Sequence, residues 1–397
     1  MSILSIISAI WYFDQLIYTF AGQIGVTVLF LGCLFLVKFG FRLKELILSV
    51  GVVFLLFVHQ YYGSLCGKKE IDILAYFLML FTLYVSMRVS LVDFISNILN
   101  SPKIISLVLF ISIIDYEYLY YPSLFGQFFG ESMFGPYHEP SHAILYLFPI
   151  LLLGVKSPLL IRFWKHKIKA IKLDLFLYIY IVVNFSSLAL LAFIINLSSF
   201  FYRRLYLVLA VLISAGALFF LVDWYYKELF REFEEITFLL SFPTMGITYF
   251  LAAVDGGSIT ILVLLSGWQR GFDLISLYSV WGEGFNSMGC SGYKDIYQTA
   301  MADILGGVPS VQDGSFLFSK ILNELGVFGL FIFIVFLYRL FQALFFEVSI
   351  DKKTRIMICI FMCCLFLIRN PGGYFVLPSI LVFSFLFSGL GSHEKNK

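Results

Sequence analysis

Apolar runs long enough to cross a bilayer recur along both ends of the sequence, and they restrict its fold more than any other feature. A membrane-crossing helix needs about 20 mostly apolar residues, because the hydrocarbon core is about 30 Å thick. The mean hydropathy is +0.94 and only 13% of the residues are charged, whereas soluble domains carry roughly 25%. We therefore predict an all-α polytopic membrane protein.

About twelve segments are predicted to be transmembrane helices on this length criterion. Leu173–Val183 and Ser187–Phe201 can also be read as one long helix. The start of the sequence has no basic leader and no small-residue cleavage site, so we expect the first helix to be retained. The segments are Ser2–Phe20, Gln23–Phe39, Leu46–Tyr62, Ile71–Met87, Ile104–Tyr121, Pro140–Gly154, Leu173–Val183, Ser187–Phe201, Leu205–Val222, Phe316–Tyr338, Ile356–Ile368 and Tyr374–Phe387.

The orientation follows from lysine and arginine, which mark the cytoplasmic side in short loops. Most of them fall on one face of the predicted topology, whereas the short loops of the other face hold only Lys68, Lys69 and Arg369. Both termini are therefore predicted to be cytoplasmic. The arginine pair at 203–204 favours two helices within 173–201, since a single crossing would put that pair outside.

This topology divides the chain into three regions. Residues 1–222 form an N-terminal bundle of nine of these helices, 223–315 form one large periplasmic loop, and 316–397 form the C-terminal helices and a short cytoplasmic tail. Within the loop, Ile236–Leu265 is interrupted by Pro243 and several glycines, so we expect amphipathic helices on the outer leaflet. The alternative is that this segment enters the membrane and returns.

A polar cluster, HEPSH at residues 138–142, opens one predicted helix on the outer face. Proline is favoured at the first helical position, because its missing N–H would have no partner there. The helix dipole keeps Glu139 ionised and favours the neutral form of His142. Both states suit a proton acceptor. The alternative is that the two residues only cap a membrane helix.

Neither the histidines nor the cysteines predict a metal site. HEPSH matches the zinc-peptidase pattern HExxH, which needs both histidines on one helix. Pro140 begins the helix and leaves His138 outside it, so the histidines are not predicted to share a metal. The cysteines form no CxxC pair and are interpreted as packing residues: Cys33, Cys66, Cys290, Cys359, Cys363 and Cys364.

Two arginines on the outer face are candidate ligands for a diphosphate. Arg270 lies on the amphipathic stretch Trp268–Val280 and is followed by a glycine-rich turn, Gly282–Asn286. Arg369 ends the penultimate helix. A guanidinium can bind phosphate oxygens bidentately without a metal. For each arginine the alternative is a lipid headgroup contact or a surface ion pair.

The predicted helix Phe316–Tyr338 also has charged residues near its start. Asp313 precedes this helix and is interpreted first as its N-cap, with substrate binding as the alternative. Glu324 lies about two turns inside the predicted helix. Charged residues within membrane helices are rare and often functional.

Three elements, in this order, resemble the O-antigen polymerase and ligase superfamily. They are the EPSH element at 139–142 opening a membrane helix, Arg270 with the turn at 282–286, and the segment 315–338. The fold that the resemblance implies is a GT-C-like membrane glycosyltransferase. Ligases of the superfamily often carry a histidine just before the last of these segments, where this chain has Asp313-Gly314-Ser315. The sequence is therefore more similar to Wzy-type polymerases.

The resemblance implies a metal-independent glycosyltransferase of the bacterial inner membrane that uses no cofactor. A growing glycan would move from undecaprenyl diphosphate onto a sugar hydroxyl of a new lipid-linked repeat unit. Glu139 is the candidate base, with His142 orienting it or sharing the proton. Arg270 is the first candidate for stabilising the departing diphosphate, and Arg369 is the second. Further candidate substrate contacts are His138, Ser141 and Asp313.

The implied partners are the lipid-linked donor and acceptor oligosaccharides, the bilayer and a chain-length regulator protein. No basic patch predicts binding to nucleic acid. An O-antigen ligase is the alternative function within the superfamily, and a lipid-linked oligosaccharide flippase is the alternative outside it. A flippase is expected to place charges in several membrane helices, whereas Asp14 and Lys38 are among the few such charges here.

Overall fold

The computed structural model of the chain describes residues 6, 9–14, 29, 32–34, 42–66, 72–99, 104–105, 107–108, 145–147, 149, 259–305, 316–347, 350, 352–369 and 373–390. Every regular element within these ranges is helical, and no strand occurs in them. The all-helical prediction is confirmed for this part of the chain. HEPSH, Asp313 and residues 150–258 lie outside it.

Several of the described helices coincide with predicted spans. Those predicted near Leu46–Tyr62, Ile71–Met87 and Ile356–Ile368 are α1, α2 and α8, each with shifted ends. A π-helical turn, Leu274–Tyr278, extends α4, and a 3-10 turn, Gly373–Phe375, precedes α9. The helices are α1 Leu43–Tyr62, α2 Ile73–Ser86, α3 Leu91–Leu99, α4 Ile259–Asp273, α5 Ile296–Leu305, α6 Leu317–Leu325, α7 Val327–Phe345, α8 Lys352–Leu367 and α9 Leu377–Ser388.

Within the described ranges, α1 and α7 are long and apolar enough to cross a membrane. The pair α2 and α3, bent by 84°, would add a third crossing if it is one broken span. Large apolar side chains of α1 and α7 are exposed, as expected of helices that face lipid. These helices indicate a membrane protein. The exposed side chains include Leu43, Ile47, Phe54, Leu55, Phe331, Ile334, Phe341 and Phe345.

The prediction of one continuous helix over Phe316–Tyr338 is wrong. The chain forms α6, breaks at Gly326, and then forms α7, which continues to Phe345. Gly326 has φ +56°, a value that glycine adopts easily because it lacks a Cβ. Glu324 therefore lies in the last turn of α6, beside the break, and not inside a continuous membrane helix. Hydropathy cannot reveal this break, because both sides of it are apolar.

The centre of the described fold is built from α6 and α9, which are buried along nearly their whole length. The N-terminal residues 9–14 reach this core through two side chains. The Trp11 indole N–H donates to the Tyr146 carbonyl oxygen at 2.8 Å. The Asp14 carboxylate accepts from the Tyr146 hydroxyl at 2.7 Å and from the Leu377 N–H at 3.3 Å. The start of α9 is thereby joined to the short helical stretch 145–147.

Candidate functional site

The candidate site is organised around residues 282–292, here called the glycine loop, and around α4, which precedes it. Two glycines one helical turn apart, Gly267 and Gly271, let α4 approach α6 closely. A Cβ at Gly267 would lie 2.7 Å from the Ser319 hydroxyl oxygen, and a Cβ at Gly271 would lie 2.7 Å from Leu322 Cγ. Small residues at this spacing permit close contact between helices. The position of α4, and of Arg270 on it, therefore depends on these glycines.

The glycine loop is hydrogen-bonded to the end of α6 through its backbone. The N–H groups of Glu283 and Gly284 donate to the carbonyl oxygens of Asn323 and Glu324, each at 2.8 Å. Gly282 has φ +77°, and a Cβ there would lie 2.6 Å from the Asn323 oxygen. The last carbonyls of a helix have no partner inside the helix, and the loop supplies donors for two of them.

Arg270 and Glu283 form an ion pair that is completely buried. One terminal guanidinium nitrogen, Nη2, lies 3.0 and 3.2 Å from the two carboxylate oxygens. The carboxylate also accepts the N–H of Gly289 at 2.8 Å, the N–H of Ser291 at 3.3 Å and the Ser291 hydroxyl. Burying two charges is tolerated only when they are paired and well hydrogen-bonded. Glu283 meets that condition by folding its own loop around its carboxylate.

Glu324 forms a second buried carboxylate site at the break between α6 and α7. Its carboxylate lies 3.2 Å from the Lys320 ammonium nitrogen. It accepts the Asn286 N–H at 2.7 Å and the Tyr374 hydroxyl at 2.8 Å. The Lys320 ammonium also lies 5.4 Å from the centre of the Tyr374 ring, within reach of a cation–π contact. Glu324 thus joins the glycine loop, α6 and the 3-10 turn before α9.

A third carboxylate, Asp295, caps α5 and connects it to α4. One oxygen accepts the N–H groups of Tyr297 and Gln298 at 2.8 and 3.0 Å, as an N-cap does. The other accepts the Ser266 hydroxyl at 2.7 Å. Burial raises the pKa of Asp295, and its hydrogen bonds and the positive charge of Arg270 oppose that shift. The net shift of the pKa is upward because the free energy lost when the ionised carboxylate leaves water exceeds the free energy gained from these partners.

A disulfide joins Cys66, just after α1, to Cys290 in the glycine loop. The interpretation of these two cysteines as packing residues is therefore wrong. Gln60 Nε2 also donates to the Ser287 hydroxyl oxygen, at 3.0 Å. The His59 Nε2 lies 2.7 Å from a backbone carbonyl oxygen just before the loop and must carry the proton of that hydrogen bond. The end of α1 is thus part of the same site.

Of the predicted site residues, Arg270 and Arg369 lie within the described ranges. Arg270 was expected on an amphipathic surface stretch, but it is fully buried beside Glu283. Arg369 follows α8 and is half-buried. Its backbone N–H donates to the Cys364 carbonyl oxygen at 3.0 Å. The other candidates lie outside the described residues: His138, Glu139, Ser141, His142 and Asp313.

Sequence reasoning did not single out Glu283, Lys320 or Tyr374 as parts of a site. A signal was present for Lys320, because lysine and Glu324 at i and i+4 lie on one face of a helix. For Glu283 and Tyr374 the residue type alone carries no such signal, since Arg270 and Glu324, with which they pair, lie in other elements. Among the described residues, no group of three His, Cys, Asp or Glu side chains could hold a metal ion.

The chain was compared with protein-family models, with curated proteins and with solved structures, and none of them matches it. The superfamily resemblance therefore rests on the ordered motifs of the sequence.

Proposed function

We propose that this protein is a polysaccharide (O-antigen) polymerase, a glycosyltransferase that lengthens a glycan on undecaprenyl diphosphate at the periplasmic face of the bacterial inner membrane. The observation that carries the proposal is a series of polar contacts between the helix after HEPSH, the start of α9 and the glycine loop. The series includes Asn286 of the turn at 282–286 and Glu324 of the segment 315–338, two of the elements through which the sequence resembles the superfamily.

The first part of this series begins beside HEPSH. Tyr146 lies four residues after His142 in the sequence. Its hydroxyl donates to buried Asp14, which also accepts the N–H of Leu377. These contacts join Tyr146 to the start of α9 through Asp14.

The second part leads from α9 to the glycine loop. Tyr374, three residues before Leu377, donates its hydroxyl to Glu324. The same carboxylate accepts the N–H of Asn286 in the loop. In this proposal Glu139, seven residues before Tyr146 in the sequence, acts at the same site as the glycine loop.

In the proposed reaction, Glu139 accepts the proton of a sugar hydroxyl on the new lipid-linked repeat unit. The freed oxygen attacks the anomeric carbon of the growing glycan, and the bond from that carbon to the diphosphate oxygen breaks. His142 orients Glu139 or shares the proton, and the diphosphate leaves on its undecaprenyl chain. A correctly placed general base of this kind contributes about 10²–10⁴-fold to the rate.

The two arginines have different roles in this proposal. Arg270 is completely buried, with Nη2 of its guanidinium bonded to Glu283, so direct contact with a diphosphate would require Arg270 to become exposed. In the closed arrangement Arg270 holds the glycine loop in place. Arg369 is less buried and is the better candidate for direct contact with the diphosphate.

The test is elongation by the purified full-length protein in lipid vesicles supplied with undecaprenyl-diphosphate-linked repeat units. The unmodified protein should produce a ladder of longer glycans. Glu139→Gln should lower the elongation rate by about 10²–10⁴-fold at unchanged protein level. Glu45→Gln, which alters a partly exposed carboxylate on α1, is the matched control and should elongate normally. Normal chain length in Glu139→Gln would contradict the role of Glu139.

A deletion strain separates the alternative functions. Surface polysaccharide that carries a single repeat unit is the result expected for a polymerase. Complete loss of the capped material would instead favour the ligase or the flippase.

A further inference from the structure

Two cysteines from distant parts of the chain meet beside the glycine loop. Cys66 follows α1 and Cys290 lies in the loop, 224 positions further along the sequence. Their Cα atoms are 6.2 Å apart, within the range of about 4.4–6.8 Å that disulfides require. A pairing across this sequence distance exists only because the fold brings the two segments together.

Backbone contacts that do not involve sulfur hold the same two segments together. The N–H of Leu65 donates to the carbonyl oxygen of Gly282 at 2.9 Å, and the N–H of Cys66 donates to that of Glu283 at 3.2 Å. The cysteines are therefore neighbours whether or not the covalent bond is present. This makes the disulfide a consequence of the fold.

Disulfides form and persist in oxidising compartments such as the periplasm and are rare in the cytosol. Lysine and arginine counts had assigned the segments that hold Cys66 and Cys290 to the outer face, and that argument used no cysteine. We propose that the Cys66–Cys290 disulfide is a structural bond that forms and persists in an oxidising compartment outside the cytoplasm. The glycine loop and the break at Gly326 then face that compartment. This inference does not depend on the glycosyltransferase proposal.

The bond forms by thiol–disulfide exchange. The two thiols lose two protons and two electrons and become one S–S bond. The electrons pass to the disulfide of an extracytoplasmic thiol oxidase, which becomes a dithiol. Cys290 is exposed and Cys66 is half-buried, so one of the two sulfurs is open to such an enzyme.

The test counts thiols in the full chain, expressed in a bacterial membrane, with Cys33, Cys359, Cys363 and Cys364 replaced by serine. After denaturation a maleimide of high mass should add no label without reductant and two labels with it. Cys66→Ser in this background should take one label without reductant, which shows that a thiol at Cys290 reacts. Two labels on the parent chain without reductant would overturn the proposal.

Orientation is tested on intact spheroplasts. A membrane-impermeant reductant followed by an impermeant maleimide should label Cys290. If labelling requires lysis, the outward orientation is wrong. If the serine-substituted chain fails to accumulate, mass spectrometry of a non-reducing digest of the unmodified protein shows whether Cys66 and Cys290 are linked. A linked peptide pair containing Cys66 and Cys290 supports the proposal, and two unlinked peptides contradict it.

Discussion

Two buried carboxylates, Glu283 and Glu324, both bind backbone N–H groups of the glycine loop, but their partners lie at different distances along the chain. Glu283 pairs with Arg270, thirteen residues away, and with N–H groups at most eight residues away. Glu324 accepts from Asn286, 38 residues away, and from Tyr374, 50 residues away. Glu283 therefore shapes the loop locally, whereas Glu324 joins it to the helical core.

The cations beside the two carboxylates also differ. Arg270 is fully buried, and one nitrogen of its guanidinium, Nη2, lies within hydrogen-bond distance of both oxygens of Glu283. Lys320 is slightly exposed and reaches one oxygen of Glu324 while lying against the Tyr374 ring. A guanidinium is fixed in orientation, but an ammonium on a flexible chain can change partners. The comparison suggests a rigid anchor at Glu283 and a more adjustable connection at Glu324.

The largest expected effect is that of Glu283→Gln, which removes the carboxylate that pairs with the fully buried guanidinium of Arg270. Breaking a buried ion pair in this way costs about 3–5 kcal/mol. The thermal unfolding temperature of the purified protein in detergent should therefore fall strongly. Glu45→Gln removes a carboxylate that lies 3.5 Å from Arg42, whose side chain is 50% exposed, and should cost at most about 1 kcal/mol. Equal shifts in the two variants would contradict the anchor role of Glu283.

Gly271→Ala tests whether the close contact of α4 with α6 supports the Arg270 side of the loop. The added Cβ would lie 2.7 Å from Leu322 Cγ, and overpacking of this kind costs about 1–3 kcal/mol. Gly51→Ala in α1 is the matched control, because nothing lies within 4 Å of its Cβ. That variant should be neutral or gain roughly 0.5–1 kcal/mol. A similar unfolding temperature for both variants would refute the close-contact argument.

A double-mutant cycle on Glu324→Gln and Lys320→Met measures the second connection directly. Coupling between residues in contact is typically about 0.5–3 kcal/mol, so the double variant should be less destabilised than the sum of the single variants. The same cycle on Arg42→Met and Glu45→Gln is the exposed control and should show weaker coupling. Strict additivity at Glu324 and Lys320 would show that their contact contributes nothing to stability.

The smallest effect concerns pH. The folded-state pKa of Asp295 is raised, so the folded protein holds this proton at pH values where the unfolded chain has released it. Its contribution to stability is therefore present below the unfolded pKa and is lost as pH rises through the folded pKa. Asp295→Asn should weaken this decline, measured as unfolding temperature against pH. An unchanged pH profile would exclude Asp295 as its source.

Much of the helical architecture was predictable, because hydropathy is read from neighbouring residues. The runs near Leu46–Tyr62, Ile71–Met87 and Ile356–Ile368 were predicted within a few residues of α1, α2 and α8. The short amphipathic helix Leu91–Leu99 was not predicted, since it is too short to resemble a membrane span. The break at Gly326 was also missed, because one glycine in an apolar run has little effect on hydropathy.

For the candidate site, the sequence suggested Arg270 and the glycine-rich turn after it as candidates, but it could not show what Arg270 contacts. A guanidinium on an amphipathic stretch suggested an exposed ligand for phosphate. The structure pairs it with Glu283, and burial of both groups makes this pair a structural anchor. The same limit applied to Cys66 and Cys290, whose spacing in sequence suggests no partnership.

The sequence by itself determined that the described part of this chain is helical and that the chain is rich in segments suited to a membrane, because a backbone in lipid must satisfy its hydrogen bonds within each segment. Only the tertiary structure decided which charges and thiols are partners. Glu324 meets Tyr374, and Cys66 meets Cys290, because helix packing brings together groups that are 50 and 224 residues apart. Such pairings depend on the positions of whole elements, and no local pattern of residue types encodes them.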